Sequence, residues 1–146
     1  MSDGIKTILA FVCGFTMAQA IKFFIALARG EKQGKFMKNV GQAIGYLSRS
    51  GGMPSGHAAS TMAAATYLGL SQGFDSIYFA LAICIAVIVI YDAINVRYAV
   101  GEQGKILNLL TKKKMKIVEG HTRREVAAGI LLGIVVGWIV YIIFGA

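Results

Sequence analysis

Proline, histidine and cysteine are nearly absent from this sequence, with one, two and two copies, and acidic residues are few. The two cysteines, Cys13 and Cys84, both fall inside apolar runs. Nothing in that placement supports a disulfide or a metal site, and both read as small buried hydrophobes. Only 7 Asp and Glu stand against 15 Lys and Arg, a net charge of +8 at pH 7. Such an excess can serve nucleic acid. In so apolar a chain, juxtamembrane lysines facing anionic lipid are the simpler explanation, and no nucleic-acid partner is expected. Amphipathic alternation is missing too. Hydrophobic residues, 56% of the chain, gather in long blocks, which indicates an integral membrane protein. The length suits a single domain, residues 1–146.

What is present is organised around Gly51-Gly52-Met53-Pro54-Ser55-Gly56-His57, which holds the only proline and one of the two histidines. The glycines let backbone pass close to a ligand. Pro54 suits a helix start, and Ser55 can cap the free amides of the first turn. Amides there attract anions, phosphate above all, and His57 would sit beside the anion. A tight loop with a histidine at a membrane surface is the plainer alternative.

The expected fold is all-α: a polytopic bundle of about four transmembrane helices with interfacial helices. Residues 7–28 form the first apolar run. Ala18-Gln19-Ala20 has the small-x-small form of a signal cleavage site, but Asp3 weakens the basic leader, and a retained transmembrane helix is expected. Over residues 31–48, Phe36, Val40, Ile44 and Leu47 recur at helical spacing beside Lys32, Lys35 and Lys38. That pattern predicts a short interfacial helix, with a soluble loop as the alternative. Residues 57–72 are rich in Ala, Ser and Thr, which places this second span inside the bundle. Gly73-Phe74-Asp75 reads as a tight turn and residues 76–90 as a third span ending at Tyr91-Asp92. Residues 96–120 are basic, with Ile106, Leu107, Leu109 and Leu110 predicting another interfacial helix. The last span covers residues 126–144, where Gly129, Gly133 and Gly137 make a small-residue face. That face can serve packing within the chain or a homo-oligomer.

Four spans bring Lys22, Arg29, His57, Asp92, Arg97 and His121 to one face at one depth. Charge avoidance of the membrane core explains the cations there but not both histidines. His121 and Glu125 stand four residues apart, one helical face if the segment is helical. The carboxylate can then hold one imidazole nitrogen and leave the other as a nucleophile. An ordinary surface pair is the alternative. One histidine can attack phosphorus while the other protonates the leaving oxygen, with cations stabilising the equatorial oxygens.

These segments resemble the type 2 phosphatidic acid phosphatases, specifically their divergent branch, related to acid phosphatases and vanadium-dependent haloperoxidases. Lys22 and Arg29 match the K-x6-R pattern, with Gly30 at the usual proline. Pro54-Ser55-Gly56-His57 matches the second motif in full. His121-x3-Glu125 matches the end of the third, with Glu for Asp. Gly-Gly-Met-Pro-Ser-x-His, Tyr-Asp-Ala-x-x-Val-Arg and Gly-His-Thr-x-x-Glu-Val are similar to the divergent branch in particular. The resemblance implies that His121 is the nucleophile, forming a phosphohistidine, that Glu125 orients it and that His57 is the general acid. Lys22 and Arg29 would bind substrate phosphate, with Ser55, Gly56 and Asp92 also in the substrate site. The family's third-motif arginine falls on Met115, so Arg97 is expected to replace it, with Lys114 or Lys116 as alternatives. No metal is implied, although Asp92, Glu102 and Glu125 leave room for Mg²⁺.

The implied activity is hydrolysis of a lipid phosphomonoester or diphosphate: phosphatidylglycerophosphate, phosphatidic acid or an isoprenoid diphosphate. A catalytically inactive protein that binds anionic lipid or scaffolds a complex is the alternative. A small transporter ranks last, because the central parts of the spans lack an ionisable group. Of the 15 Lys and Arg, only Lys6 falls on the side of the chain ends. The positive-inside rule then predicts a cytoplasmic active site.

Overall fold

The computed structural model describes residues 1–28, 52–112, 117 and 120–145. The interfacial helix expected at 31–48, and the site candidates Arg29, Lys114 and Lys116, lie outside the described residues. Helix α1 is Asp3–Ala28, α2 Gly56–Gln72, α3 Ile77–Tyr91, α4 Arg97–Thr111 and α5 Arg123–Phe144. Among the described residues the chain is helical, with no strand.

Local chemistry sets the helix starts. Ser55 caps α2 by accepting from the Ala58 amide at 3.5 Å, and Ser76 caps α3 through the Phe79 amide at 3.2 Å. Gly73 makes the α2–α3 turn with φ at 92°, a conformation that costs glycine little. At α5, Thr122 and Glu125 form a reciprocal capping box, so two of the orphan amides are satisfied by side chains.

Three segments are long and apolar enough to cross a membrane: Asp3–Ile25, Ile77–Thr111 and Arg123–Phe144. The 17-residue α2 is shorter and touches α1, α3 and α5, so it is the inner helix, as its small residues require. Large apolar side chains such as Ile77, Ile88 and Leu131 point outward, where lipid would cover them. Cys84 is exposed on α3, not buried as expected; Cys13 is half-buried.

The glycine face of α5 is used within the chain. A methyl group at Gly129, Gly133 or Gly137 would fall within about 2.5 Å of the Ser55, Ala59 or Ala63 carbonyl oxygen, respectively. Gly14 of α1 approaches the Ala59 carbonyl from another side. Backbones this close gain dispersion contacts that lipid cannot replace, and the hydrophobic effect adds little there. Since α2 fills this face, it is not the surface by which a second copy would dock.

A single uninterrupted helix runs from Ile77 to Thr111, where a span followed by a separate interfacial helix was expected. No proline or glycine stands between Ile77 and Val100 to stop it. One turn of π-helix, Asp92–Val96, joins α3 to α4 instead.

At the end carrying both chain termini, Asp3 accepts from Gln72 Nε2 at 2.8 Å and from the Tyr67 hydroxyl at 3.3 Å. This ties the start of α1 to the end of α2. The opposite end gathers the start of α2, the π-turn and the start of α5.

Candidate active site

The Met53-Pro54-Ser55-Gly56 stretch enters α2 beside the second half of α1, near Phe15, Gln19 and Lys22. Gly52 sits at a φ of 81°, and a Cβ there would lie 4.0 Å from Lys22 Cδ. Gly56 faces the Phe15 ring and Gln19, with no room between them for a larger residue to enter freely. Ser55 is fully buried, and its amide donates to the Glu125 carbonyl at 2.9 Å. The second motif is thus pinned to the first turn of α5.

That bond brings the two histidines together. The rings of His57 and His121 have centroids 6.3 Å apart and planes inclined by 65°. His57 stands in the first turn of α2 and is half-buried, while His121 is 3% exposed. Lys22, Arg97 and Asp92 all act electrostatically on His57, and Lys22 also on His121. Five of the expected site residues therefore share one neighbourhood, although they come from four separate stretches of the chain.

His121 is not on the α5 helix. Thr122 is the N-cap, so His121 precedes the first helical residue, and the expected same-face pairing with Glu125 does not arise from helical spacing. The capping box does the work instead. Glu125 folds back to accept from the Thr122 amide at 2.8 Å, which leaves the same oxygen 3.4 Å from His121 Nδ1. The contact is close enough for electrostatic attraction but is long and poorly aligned for a hydrogen bond. The His121 amide donates to the Ala93 carbonyl of the π-turn at 3.0 Å.

Burial is the main influence that lowers the His121 pKa below 6.5; Lys22 lowers it further and Glu125 opposes the shift. The imidazole is therefore held neutral near pH 7, the form with a lone pair for attack.

Arg97 Nε bonds to Asp92 Oδ2 at 2.5 Å. Of the carboxylates that left room for Mg²⁺, Asp92 is bound to Arg97, Glu102 to Lys105, and Glu125 is engaged in the capping box. Among the described residues no three His, Cys, Asp or Glu gather as metal ligands would.

Three features escaped sequence reasoning. The π-turn left no periodicity to read, though an Asp and an Arg five apart within an apolar helix were a signal. Ala93 is buried against Ala58 and Val126, carrying the π-turn onto the first turns of α2 and α5. Gly120 has no room for a Cβ, which would collide with the backbone of Arg97 and Tyr98. The glycine preceding His121 was the sequence signal for that close approach.

Comparison with known proteins gives the family. The chain is 35% identical over 109 residues to a Bacillus subtilis (strain 168) protein called "Uncharacterized membrane protein YuiD", an alignment covering 60% of this chain and 69% of the relative. No solved structure matches it. The profile described as "Divergent PAP2 family" matches residues 5–136, a span containing both histidines, Lys22, the π-turn and the capping box. An all-α membrane protein with these motifs in this order, over nearly its whole length, belongs to the divergent PAP2 family.

Proposed function

We propose that this protein is a membrane phosphatase that hydrolyses a lipid phosphomonoester or diphosphate through a phosphohistidine. The observation that carries the reading is the pairing of His57 with a buried His121 at 6.3 Å between ring centroids. His121 attacks through Nε2, since Nδ1 faces Glu125. The Nε2–P bond forms as the bond from phosphorus to the lipid oxygen breaks, and His57, whose protonation the negative charge of the bound phosphate favours, gives its proton to that oxygen. Water then attacks phosphorus, His57 takes its proton, and phosphate leaves with His121 restored. Lys22 and Arg97 stabilise charge on the equatorial oxygens, and the free amides opening α2 add their dipole.

The basic residues on the site's side support a cytoplasmic active site. That orientation favours inner-leaflet substrates, phosphatidylglycerophosphate or phosphatidic acid, over isoprenoid diphosphate carriers of the outer face. One observation favours a second reading, an inactive anionic-lipid-binding protein: at 3.4 Å the Glu125 contact to His121 Nδ1 is long for the bond that would orient a nucleophile. Purified protein assayed on a panel of lipid phosphates separates the two. Phosphate release lost in His121→Ala supports the phosphatase, and lipid binding without release in the unaltered protein supports the alternative.

A further inference from the structure

Asp92 and Arg97 are five residues apart, and on a regular α-helix they would point roughly 140° away from each other. They meet because the π-turn adds a residue to one turn: the Arg97 amide donates to the Asp92 carbonyl, five positions back. The same turn is anchored in the site. Ala93 is buried against Ala58 and Val126, and its carbonyl receives the His121 amide at 3.0 Å. Gly120 lies against the backbone of Arg97 and Tyr98, where any side chain would collide. One irregular turn therefore fixes the backbone before the nucleophile candidate and the direction of an arginine.

We infer that Asp92 is a positioning residue: it holds Arg97 by Nε and turns the two Nη groups toward a phosphate group between His57 and His121. The inference rests on the phosphatase reading for the identity of the substrate but not for the grip itself. A guanidinium has five N–H donors, and a bond through Nε leaves its far edge for bidentate contact with an anion. Holding the side chain beforehand removes part of the entropy lost on binding. The charge of Arg97 acts on His57, consistent with that placement. Asp92 does not itself touch the anion, since two negative groups in contact would repel. Its contribution passes through Arg97 alone.

The test is a double-mutant cycle on the full-length protein in nanodiscs, using Asp92→Asn, Arg97→Gln and the double variant. Orthovanadate affinity is measured as the phosphate probe, together with kcat and KM for a short-chain lipid phosphate. Asp92→Asn should weaken vanadate and raise KM by about tenfold, but in the Arg97→Gln background it should change either by less than about twofold. Asp92→Glu should recover part of the affinity. Equal effects in both backgrounds, or tighter vanadate binding in Asp92→Asn, would overturn the inference; the second result would mean that Asp92 competes for the guanidinium. Vanadate binding with the expected coupling but no phosphate release sinks the phosphatase reading and keeps Asp92's role. A protein that neither binds vanadate nor releases phosphate refutes both.

Discussion

Ser55 donates its backbone N–H to the Glu125 carbonyl at 2.9 Å, joining residues 70 positions apart. Ser55 precedes the helix that carries His57, and Glu125 lies in the first turn after His121. A buried donor and acceptor that lose each other in such a place cost about 1–3 kcal/mol, so the bond sets the register in which the two histidines face one another.

The histidines should differ in how their loss is felt. His121→Ala should reduce phosphate release by at least about a thousandfold on every substrate, because the attacking nitrogen is removed. His57→Ala should cost about a hundredfold or more on lipid phosphates and far less on p-nitrophenyl phosphate, whose leaving group needs no proton. A uniform loss across leaving groups in His57→Ala would remove it from the role of acid.

The pH profile should carry the signature of a buried nucleophile. Burial first, then Lys22, holds the His121 pKa below 6.5, so the acid limb of kcat/KM should have its midpoint below that value. Lys22→Gln should move the limb up in pH, and Glu125→Gln should move it down. Folding stability follows the same sign. As pH falls below 6.5, the unfolded chain takes up a proton the folded one resists, so stability declines through that window. A limb above 6.5 would contradict the burial argument.

The α2–α5 contact should be intolerant of even one methyl group. Gly133→Ala places a Cβ 2.5 Å from the Ala59 carbonyl oxygen, and a cost of about 1–3 kcal/mol is expected. Gly4→Ala is the control, since nothing lies within 4 Å of its added Cβ. Thermal unfolding in detergent should show Gly133→Ala melting below the unaltered protein and Gly4→Ala at or slightly above it.

Orientation is measured by labelling intact cells after Cys13 and Cys84 are replaced. A cysteine at Ser2 should react with an impermeant maleimide, and one at Gln103, on the exposed surface of α4, should not. The opposite pattern would place the site outside and shift the favoured substrate to an outer-leaflet diphosphate lipid.

Apolar run length and composition were enough to predict a helical membrane bundle, because a spanning helix must satisfy its own backbone and needs a continuous apolar surface. The small residues of 57–72 likewise placed α2 inside, and the order of motifs singled out Lys22, His57 and His121, which the fold brings into one neighbourhood. Other features depend on contacts between distant segments. Gly129, Gly133 and Gly137 show that some helix comes close, but only α2 lying against them decides that the partner is within the chain. The spacing of His121 and Glu125 implied a helical pair, yet Thr122 won the competition for the N-cap and left His121 outside the helix. Apart from the five-residue spacing of Asp92 and Arg97, nothing local distinguishes residues 92–96 from ordinary α-helix. Their π register accompanies the packing of Ala93 between Ala58 and Val126 and the bond from His121 to its carbonyl, interactions that no local stretch of sequence contains.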